Sequence, residues 1–107
     1  MSTFDDRGNA FETKFARDED MAFRIAARRN KLLGQWAAGL MSLTPEETTA
    51  YATSVVQADF EEAGDEDVLR KVYGDLTTAQ ITIDEAGVRQ ALAEKTVEAR
   101  RQLMESQ

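Results

Sequence analysis

Apolar residues recur at the spacing of amphipathic helices in four successive segments of the chain. The first segment, residues 18–42, carries its apolar face on Ala22, Ile25, Ala26, Leu32, Leu33, Trp36, Ala37 and Leu40. We interpret Trp36 as an anchor of the core, because it shares the helical spacing of the neighbouring leucines. Residues 39–42 and Pro45 mark the end of this predicted helix.

The clearest local signal is the run Thr44-Pro45-Glu46-Glu47, which predicts the start of the second helix. Thr44 can cap this helix, proline suits its first position, and Glu47 can complete a capping box. The helix is predicted to run to about Ala63, where Gly64 supplies a stop. Its apolar face consists of Tyr51, Ala52, Val55, Val56, Phe60 and Ala63.

A third helix is predicted from Asp65 to about Thr78. Its inward residues are Val68, Leu69, Val72, Tyr73 and Leu76. The spacing of Glu66 with Arg70, and of Asp67 with Lys71, predicts ion pairs between residues four apart.

The run Ile81-Thr82-Ile83 is β-prone but too short to find a sheet partner, so we interpret it as a linker whose isoleucines fill the core. Either Thr82 or Asp84 can cap the fourth helix, which should fray near Glu105. Its apolar stripe is Val88, Leu92, Ala99 and Leu103. Together these patterns predict an all-α protein, a four-helix bundle over residues 18–107 with a mobile N-terminal segment over residues 1–17.

The N-terminal arm, residues 1–17, has its own pattern. On a helix, Phe4, Phe11 and Phe15 lie on one stripe with charges of both signs beside them, which is typical of a helix that docks in a partner's groove. Gly8-Asn9 weakens the helix, so the arm alone is expected to be mostly unfolded. The alternative is that the phenylalanines extend the first helix and complete the core, and the pattern leaves both interpretations open.

Composition narrows the possible functions. The chain of 107 residues has no cysteine and no histidine, which removes disulfides, thiolate metal sites and the commonest general acid–base residue. The net charge of −7 argues against nucleic acid, and no apolar run approaches the ~20 residues of a membrane span. The charge divides into +1 for residues 1–42 and −8 for residues 43–107, which suggests two separate roles.

Two charged clusters have simple interpretations. The run Arg28-Arg29-Asn30-Lys31 could meet an acidic surface or a phosphate, but a solvated helix face is favoured. The acidic pairs Glu61/Glu62 and Glu66/Asp67 do not have the spacing of a calcium loop, so we predict a solvated surface and no metal site there. No cofactor site is predicted.

Three runs of residues resemble one known family. They are Phe4-Asp5-Asp6-Arg7, then Ala10-Phe11-Glu12-x-Lys14-Phe15-Ala16-Arg17-Asp18, then Arg28-Arg29-Asn30-Lys31-Leu32-Leu33-Gly34-x-Trp36-Ala37-Ala38. The chain resembles the zeta subunit, an ATPase inhibitor subunit, of alphaproteobacterial F1Fo-ATP synthase. The resemblance covers nearly the whole chain and is densest over residues 4–38.

This resemblance implies a non-enzymatic inhibitor whose N-terminal segment enters an α/β catalytic interface of F1 beside the γ subunit. Hydrolysis would be blocked more strongly than synthesis. The residues carried over as partner-binding are Phe4, Asp5, Asp6, Arg7, Phe11, Glu12, Phe15 and Arg17. The protein would lie in the cytoplasm, peripheral on the inner membrane through the ATP synthase, with weak adenine nucleotide binding possible. Gly8-Asn9 departs from the helix-prone residues expected there, which lowers the expected inhibitory strength.

Two other functions remain open at this stage. A helical bundle could bind an adenine nucleotide and act as a sensor, in which case Trp36 fluorescence should respond to the nucleotide. The chain could also be a structural adaptor without inhibitory activity. Deleting residues 1–17 separates the adaptor from the inhibitor, because an adaptor that uses the bundle keeps its partner.

Overall fold

The structure is a computed structural model that describes the backbone of residues 3–58 and 65–105 and the side chains of residues 20–58 and 65–105. Within these ranges all regular structure is helical. The four helices are α1 (Thr3–Leu40), α2 (Pro45–Ala58), α3 (Glu66–Thr78) and α4 (Glu85–Glu105). The predicted all-α four-helix bundle is therefore confirmed.

Helix α1 is longer than the sequence pattern predicts, since its 38 residues begin at Thr3 rather than at residue 18. It continues through Gly8-Asn9 because one glycine costs only about 1 kcal/mol, whereas adding a residue to an existing helix needs no new nucleation. Mobility of residues 1–17, and their division from a bundle of residues 18–107, stay predictions.

Helices α1 and α3 end in the same hydrogen-bonded turn. After α1, the Ser42 N–H donates to the carbonyl of Gly39 and the Leu43 N–H to that of Ala38, while Ser42 has a φ of 58°. After α3, Gln80 has a φ of 64°, and the Ile81 N–H donates to the carbonyl of Leu76. These are Schellman motifs, which end α1 two residues earlier than the predicted position 42.

The predicted end of α2 at residues 63 and 64 lies outside the described residues, as do Phe60, Glu61 and Glu62. The starts of the second and fourth helices can be compared directly. At α2, the Glu47 N–H donates to Thr44 Oγ1 at 3.1 Å and the Thr44 N–H to Glu47 Oε1 at 2.9 Å, which confirms the capping box. At α4, the Gly87 N–H donates to Asp84 Oδ1 at 2.8 Å, so Asp84 is the cap.

We expect Thr44→Ala to lower the free energy of unfolding by about 1 kcal/mol, because the Glu47 N–H loses its acceptor. Urea unfolding followed by circular dichroism measures this change. Thr49→Ala is the matched control, since the Thr49 hydroxyl only donates to the Pro45 carbonyl within the same helix. Equal stability of the two variants would contradict a capping role for Thr44.

The core lies where all four helices meet. Its buried residues are Leu33, Ala37, Val55, Val68, Leu69, Val72, Leu76, Val88, Ala91 and Leu92. Trp36 is half-buried and packs against this cluster, which agrees with its predicted role as an anchor. Ile81 and Ile83 also pack against it, so the interpretation of residues 81–83 as a core-filling linker is confirmed.

Helices α1 and α2 approach closely at Gly34. A Cβ atom at this position would lie 2.7 Å from the Ala52 Cα and 3.3 Å from Val55 Cγ2. No real Cβ atom fits such a distance to a backbone atom, so the missing side chain is what allows the contact.

Both predicted ion pairs on α3 are wrong. Glu66 pairs with Arg89 of α4 at 3.0 Å, and Lys71 pairs with Asp75 one turn further along its own helix. Asp67 pairs with Arg70 at 3.7 Å. Tertiary packing gives Glu66 a partner on another helix, whereas Asp67 and Lys71 pair with other residues of α3. Pairs within one helix differ too little in energy for the spacing of four residues alone to select among them.

Candidate protein-docking site

The N-terminal half of α1 extends beyond the described parts of the other helices. Arg28 Nη1 donates to Gln102 Oε1 at 3.0 Å, which places Gln102 of α4 beside Arg28 of α1. Helix α4 runs antiparallel to α1 and ends three residues after Gln102, so its end lies level with about residue 25 of α1. Ala52 packs against Gly34, which brings the last described residue of α2 level with about residue 28. The part of α1 that remains, residues 3–24, is about 33 Å long at 1.5 Å per residue.

The overall dimensions agree with this geometry, since the molecule measures 64 × 24 × 21 Å. A compact bundle of four short helices would be much less elongated. The backbone of residues 3–24 therefore forms a projecting helix beside which the described parts of α2, α3 and α4 do not run.

All eight predicted partner-binding residues belong to this projecting part of α1. They are Phe4, Asp5, Asp6, Arg7, Phe11, Glu12, Phe15 and Arg17. Because the backbone is helical throughout, positions 4, 11 and 15 share one face by register. The side chains of these residues lie outside the described part of the structure, so their role as a binding site stays a proposal.

The base of the projection is held by polar contacts on two sides of α1. On one side, Arg28 is bonded to Gln102 of α4. On the other side, Arg29 is 6% exposed and its Nη1 donates to Asp65 Oδ1 at 2.8 Å, at the start of α3. Arg29 Nε also donates to Asn30 Oδ1 at 3.1 Å.

The interpretation of residues 28–31 as a solvated helix face is therefore wrong for two of the four. Arg28 and Lys31 are exposed, but Arg29 is buried and Asn30 is only 1% exposed. The register could have shown this for Asn30, which lies four residues after Ala26 and three before Leu33 on the apolar stripe. For Arg29 the sequence holds no such signal, because its partner is 36 residues away.

A second polar cluster braces α2 against α3. The Tyr51 hydroxyl donates to Asp75 Oδ2 at 2.8 Å, Lys71 donates to the same oxygen at 3.0 Å, and the ammonium lies 5.3 Å from the centre of the Tyr51 ring. Burial, together with the nearby Asp75 carboxylate, raises the pKa of the Tyr51 phenol. The cluster is fully explained as a structural contact between two helices.

Three carboxylates are stabilised in their ionised form. The Thr44 backbone N–H and hydroxyl lower the pKa of Glu47, and the Arg89 guanidinium lowers that of Glu66. Hydrogen bonds from Arg101 and Gln102 lower the pKa of Glu98 to about 2. All three side chains face solvent, so each contributes little to the free energy of unfolding on its own.

The pH dependence of stability follows from these shifts. A carboxylate whose pKa is lower in the folded state stabilises the fold above its unfolded pKa of 4.5 and loses that contribution as the pH falls toward 2. We expect an unfolding temperature that is nearly constant between pH 6 and 8, where no histidine titrates, and that falls below about pH 4.5. Thermal melts across this pH range measure the unfolding temperature, and Glu98→Gln should reduce its fall at low pH. A steep change in the unfolding temperature near pH 6.5 would contradict this expectation.

The cleft between α1 and α2 does not favour binding of a nucleotide. It has a volume of about 430 Å³ and is lined by Lys31, Gln35, Thr49, Ala52, Thr53 and Val56. One ammonium group is the only charge among these lining residues, which is a poor match for the phosphates of a nucleotide. In the described ranges no acidic cluster could hold a metal ion, and no helix is both long and apolar enough to cross a membrane.

A small helical bundle with one projecting helix has the architecture of a protein that acts by binding another protein. Comparison with known protein families shows the family to which the chain belongs. The sequence model of the ATPase inhibitor subunit zeta family matches residues 1–102, so the chain belongs to that family. The resemblance predicted from the residues is thereby confirmed, and the family supports an ATPase inhibitor role.

A structure determined by solution NMR is also similar to this chain. It has a TM-score of 0.72 and 47% sequence identity, over 81% of this chain and 99% of the other. A comparison with curated protein sequences gives no match.

Proposed function

We propose that this protein inhibits ATP hydrolysis by the F1 part of an ATP synthase, by inserting the N-terminal half of α1 as a helix at an α/β catalytic interface. The bundle stays outside the interface and holds the inserted helix by its base. The residues proposed to contact F1 are the eight on residues 4–17 named above, with the γ subunit as a further contact.

The observation that carries the proposal is the projecting helix of α1. A helix of about 33 Å that has left its own bundle can enter a groove deep in a partner without the bundle colliding with the partner's surface. A helix that is already formed also loses less conformational entropy on binding than an unfolded segment does.

Charge distribution supports the same division. Residues 1–42 carry a net charge of +1 and residues 43–107 a net charge of −8. A nearly neutral helix with charges of both signs enters a protein interface with less desolvation cost than a strongly charged one. The acidic bundle keeps the protein soluble and discourages binding to nucleic acid.

The direct test is ATP hydrolysis by isolated F1 from the same source, measured with and without the full chain. We expect hydrolysis to fall as the chain is added, while ATP synthesis by the complete synthase is affected much less. A chain that lacks residues 1–17 should fail to inhibit, with its bundle checked by circular dichroism. Unchanged hydrolysis at saturating full-length protein would overturn the proposal.

The deletion of residues 1–17 and a fluorescence titration distinguish the alternatives. An adaptor that uses the bundle would still co-purify with its partner after residues 1–17 are removed. A nucleotide sensor would show a change in Trp36 fluorescence on titration with ATP or ADP, because Trp36 lies half-buried against the core. For the inhibitor, loss of activity on deletion and an unchanged fluorescence are expected.

A further inference from the structure

We propose that Arg28 and Arg29 are positioning residues that set the direction in which α1 leaves the bundle, and thereby aim the inhibitory helix. They act through a collar that consists of Arg28, Arg29, Asp65 and Gln102. The inference rests on the function proposed above and assigns a role to residues outside the inserted helix.

The contact between Arg29 and Asp65 is not a chance surface pair. The Arg29 side chain is only 8% exposed, and its Nη1 lies 2.8 Å from Asp65 Oδ1. Asp65 occupies the N-cap position of α3, where an aspartate normally accepts a bond from the helix, yet its side chain makes no capping bond. The carboxylate is used to hold α1 instead.

The contact on the other side of α1 is also oriented. Gln102 Oε1 accepts from Arg28 Nη1 at 3.0 Å, and Gln102 Nε2 donates to Glu98 Oε1 at 3.0 Å. The second bond fixes which end of the amide faces α1. Consecutive residues of a helix point about 100° apart, so Arg28 and Arg29 hold α1 from two directions, one toward α4 and one toward α3.

Stability alone does not explain a buried arginine here. The Arg29 guanidinium loses its hydration on burial while its partner Asp65 stays 58% exposed and screened by water, so the pair contributes little net stability compared with a packed apolar side chain. Directional polar contacts do restrict geometry, since a guanidinium holds its partner only in certain orientations. A role in fixing the orientation of α1 therefore accounts for the chemistry that is found.

The position of the collar makes orientation important. It lies within about one turn of residue 25, the last level at which α1 has neighbours among the described residues, and residue 11 is about 26 Å further along the helix. A tilt of about 10° at the collar displaces that residue by about 4–5 Å. A displacement of this size is enough to misalign a helix with a groove that fits it.

The test compares a double variant of the collar with a single substitution of the carboxylate next to Asp65, both in the full chain. Asp65→Asn, combined with Gln102→Leu, removes the charge pair with Arg29 and the acceptor for Arg28. Glu66→Gln is the control, because the Glu66 carboxylate pairs with Arg89 and so joins α3 to α4. The chain has no cysteine, so spin labels at Ala10→Cys and Ala93→Cys report the distance from the projecting helix to the exposed side of α4.

We expect the collar variant to broaden the label distance distribution and to weaken inhibition of F1 about three- to tenfold, as loss of preorganisation does. The control should leave both unchanged. If the collar variant lowers the unfolding temperature far more than the control does, the measurements are made on Arg28→Gln instead, because Arg28 is exposed. This variant should also broaden the distance distribution and weaken inhibition.

An unchanged distance distribution, or a broadened one with full inhibitory strength, would overturn the positioning role alone. Absence of inhibition by the wild-type chain would overturn the proposed function and this inference with it. The two failures are therefore distinct, because the second is already visible before any substitution is made.

Discussion

Gly34→Ala is expected to destabilise the bundle by about 1–3 kcal/mol, which is the usual cost of overpacking a close contact. The added Cβ would lie 2.7 Å from the Ala52 Cα and 3.2 Å from the Ala52 Cβ. Since the obstructing atoms belong to the α2 backbone, no side chain can rotate away, and α1 and α2 must separate. A fall in unfolding temperature of about 4–8 °C for each kcal/mol is expected in a thermal melt.

Gly39→Ala and Gly74→Ala are the matched controls, since each glycine lies in a helix and a Cβ there meets no atom within 4 Å. Alanine favours a helix over glycine by up to about 1 kcal/mol, so both controls should be as stable as the wild type or more stable. If Gly34→Ala behaved like these two, the close approach of α1 and α2 would not be a feature of the protein in solution.

The sequence predicts the local parts of this fold well. The capping box at Thr44 depends on residues close together in the chain, and so does the cap at Asp84, one of the two residues that the sequence left open as caps of α4. Such features follow from helix chemistry and periodicity, which neighbours in sequence decide.

Features that depend on distant residues could not be predicted. The burial of Arg29 requires Asp65, and the partner of Glu66 is Arg89 on another helix. No pattern in the sequence indicates such pairs, because they arise only when the helices pack. The predicted start of α1 at residue 18 is wrong for a different reason. Gly8 suggested an interruption, but a single unfavourable residue does not end a long helix.

The candidate site shows the same division. Helical spacing placed Phe4, Phe11 and Phe15 on one face, and the continuous helix keeps them there by register. What the pattern could not decide was whether that face is covered by the bundle. Two contacts bear on this question, that of Arg28 with Gln102 and that of Gly34 with Ala52. They fix how far α4 and α2 run along α1, and the described neighbours of α1 end near residue 25.

Phe11→Ala is expected to weaken inhibition of F1 by about thirtyfold or more. Residue 11 lies about 14 residues, or about 21 Å, beyond the level at which α4 ends. In the proposed complex this phenylalanine is buried in F1, and an aromatic anchor buried in a well-packed pocket commonly contributes about 2 kcal/mol or more. The inhibition constant for ATP hydrolysis measures this loss, while the unfolding temperature should hardly change.

Gly8→Ala should change inhibition in the opposite direction. Alanine opposes unwinding of the free projecting helix at this position of α1 by up to about 1 kcal/mol relative to glycine, so less ordering remains for the binding step and inhibition should tighten several-fold. General damage to the protein cannot produce such a gain, which makes the pair of variants more informative than either alone. If Phe11→Ala instead melts the bundle, the phenylalanine stripe belongs to the core, and if neither variant alters hydrolysis, the projecting helix does not carry the inhibition.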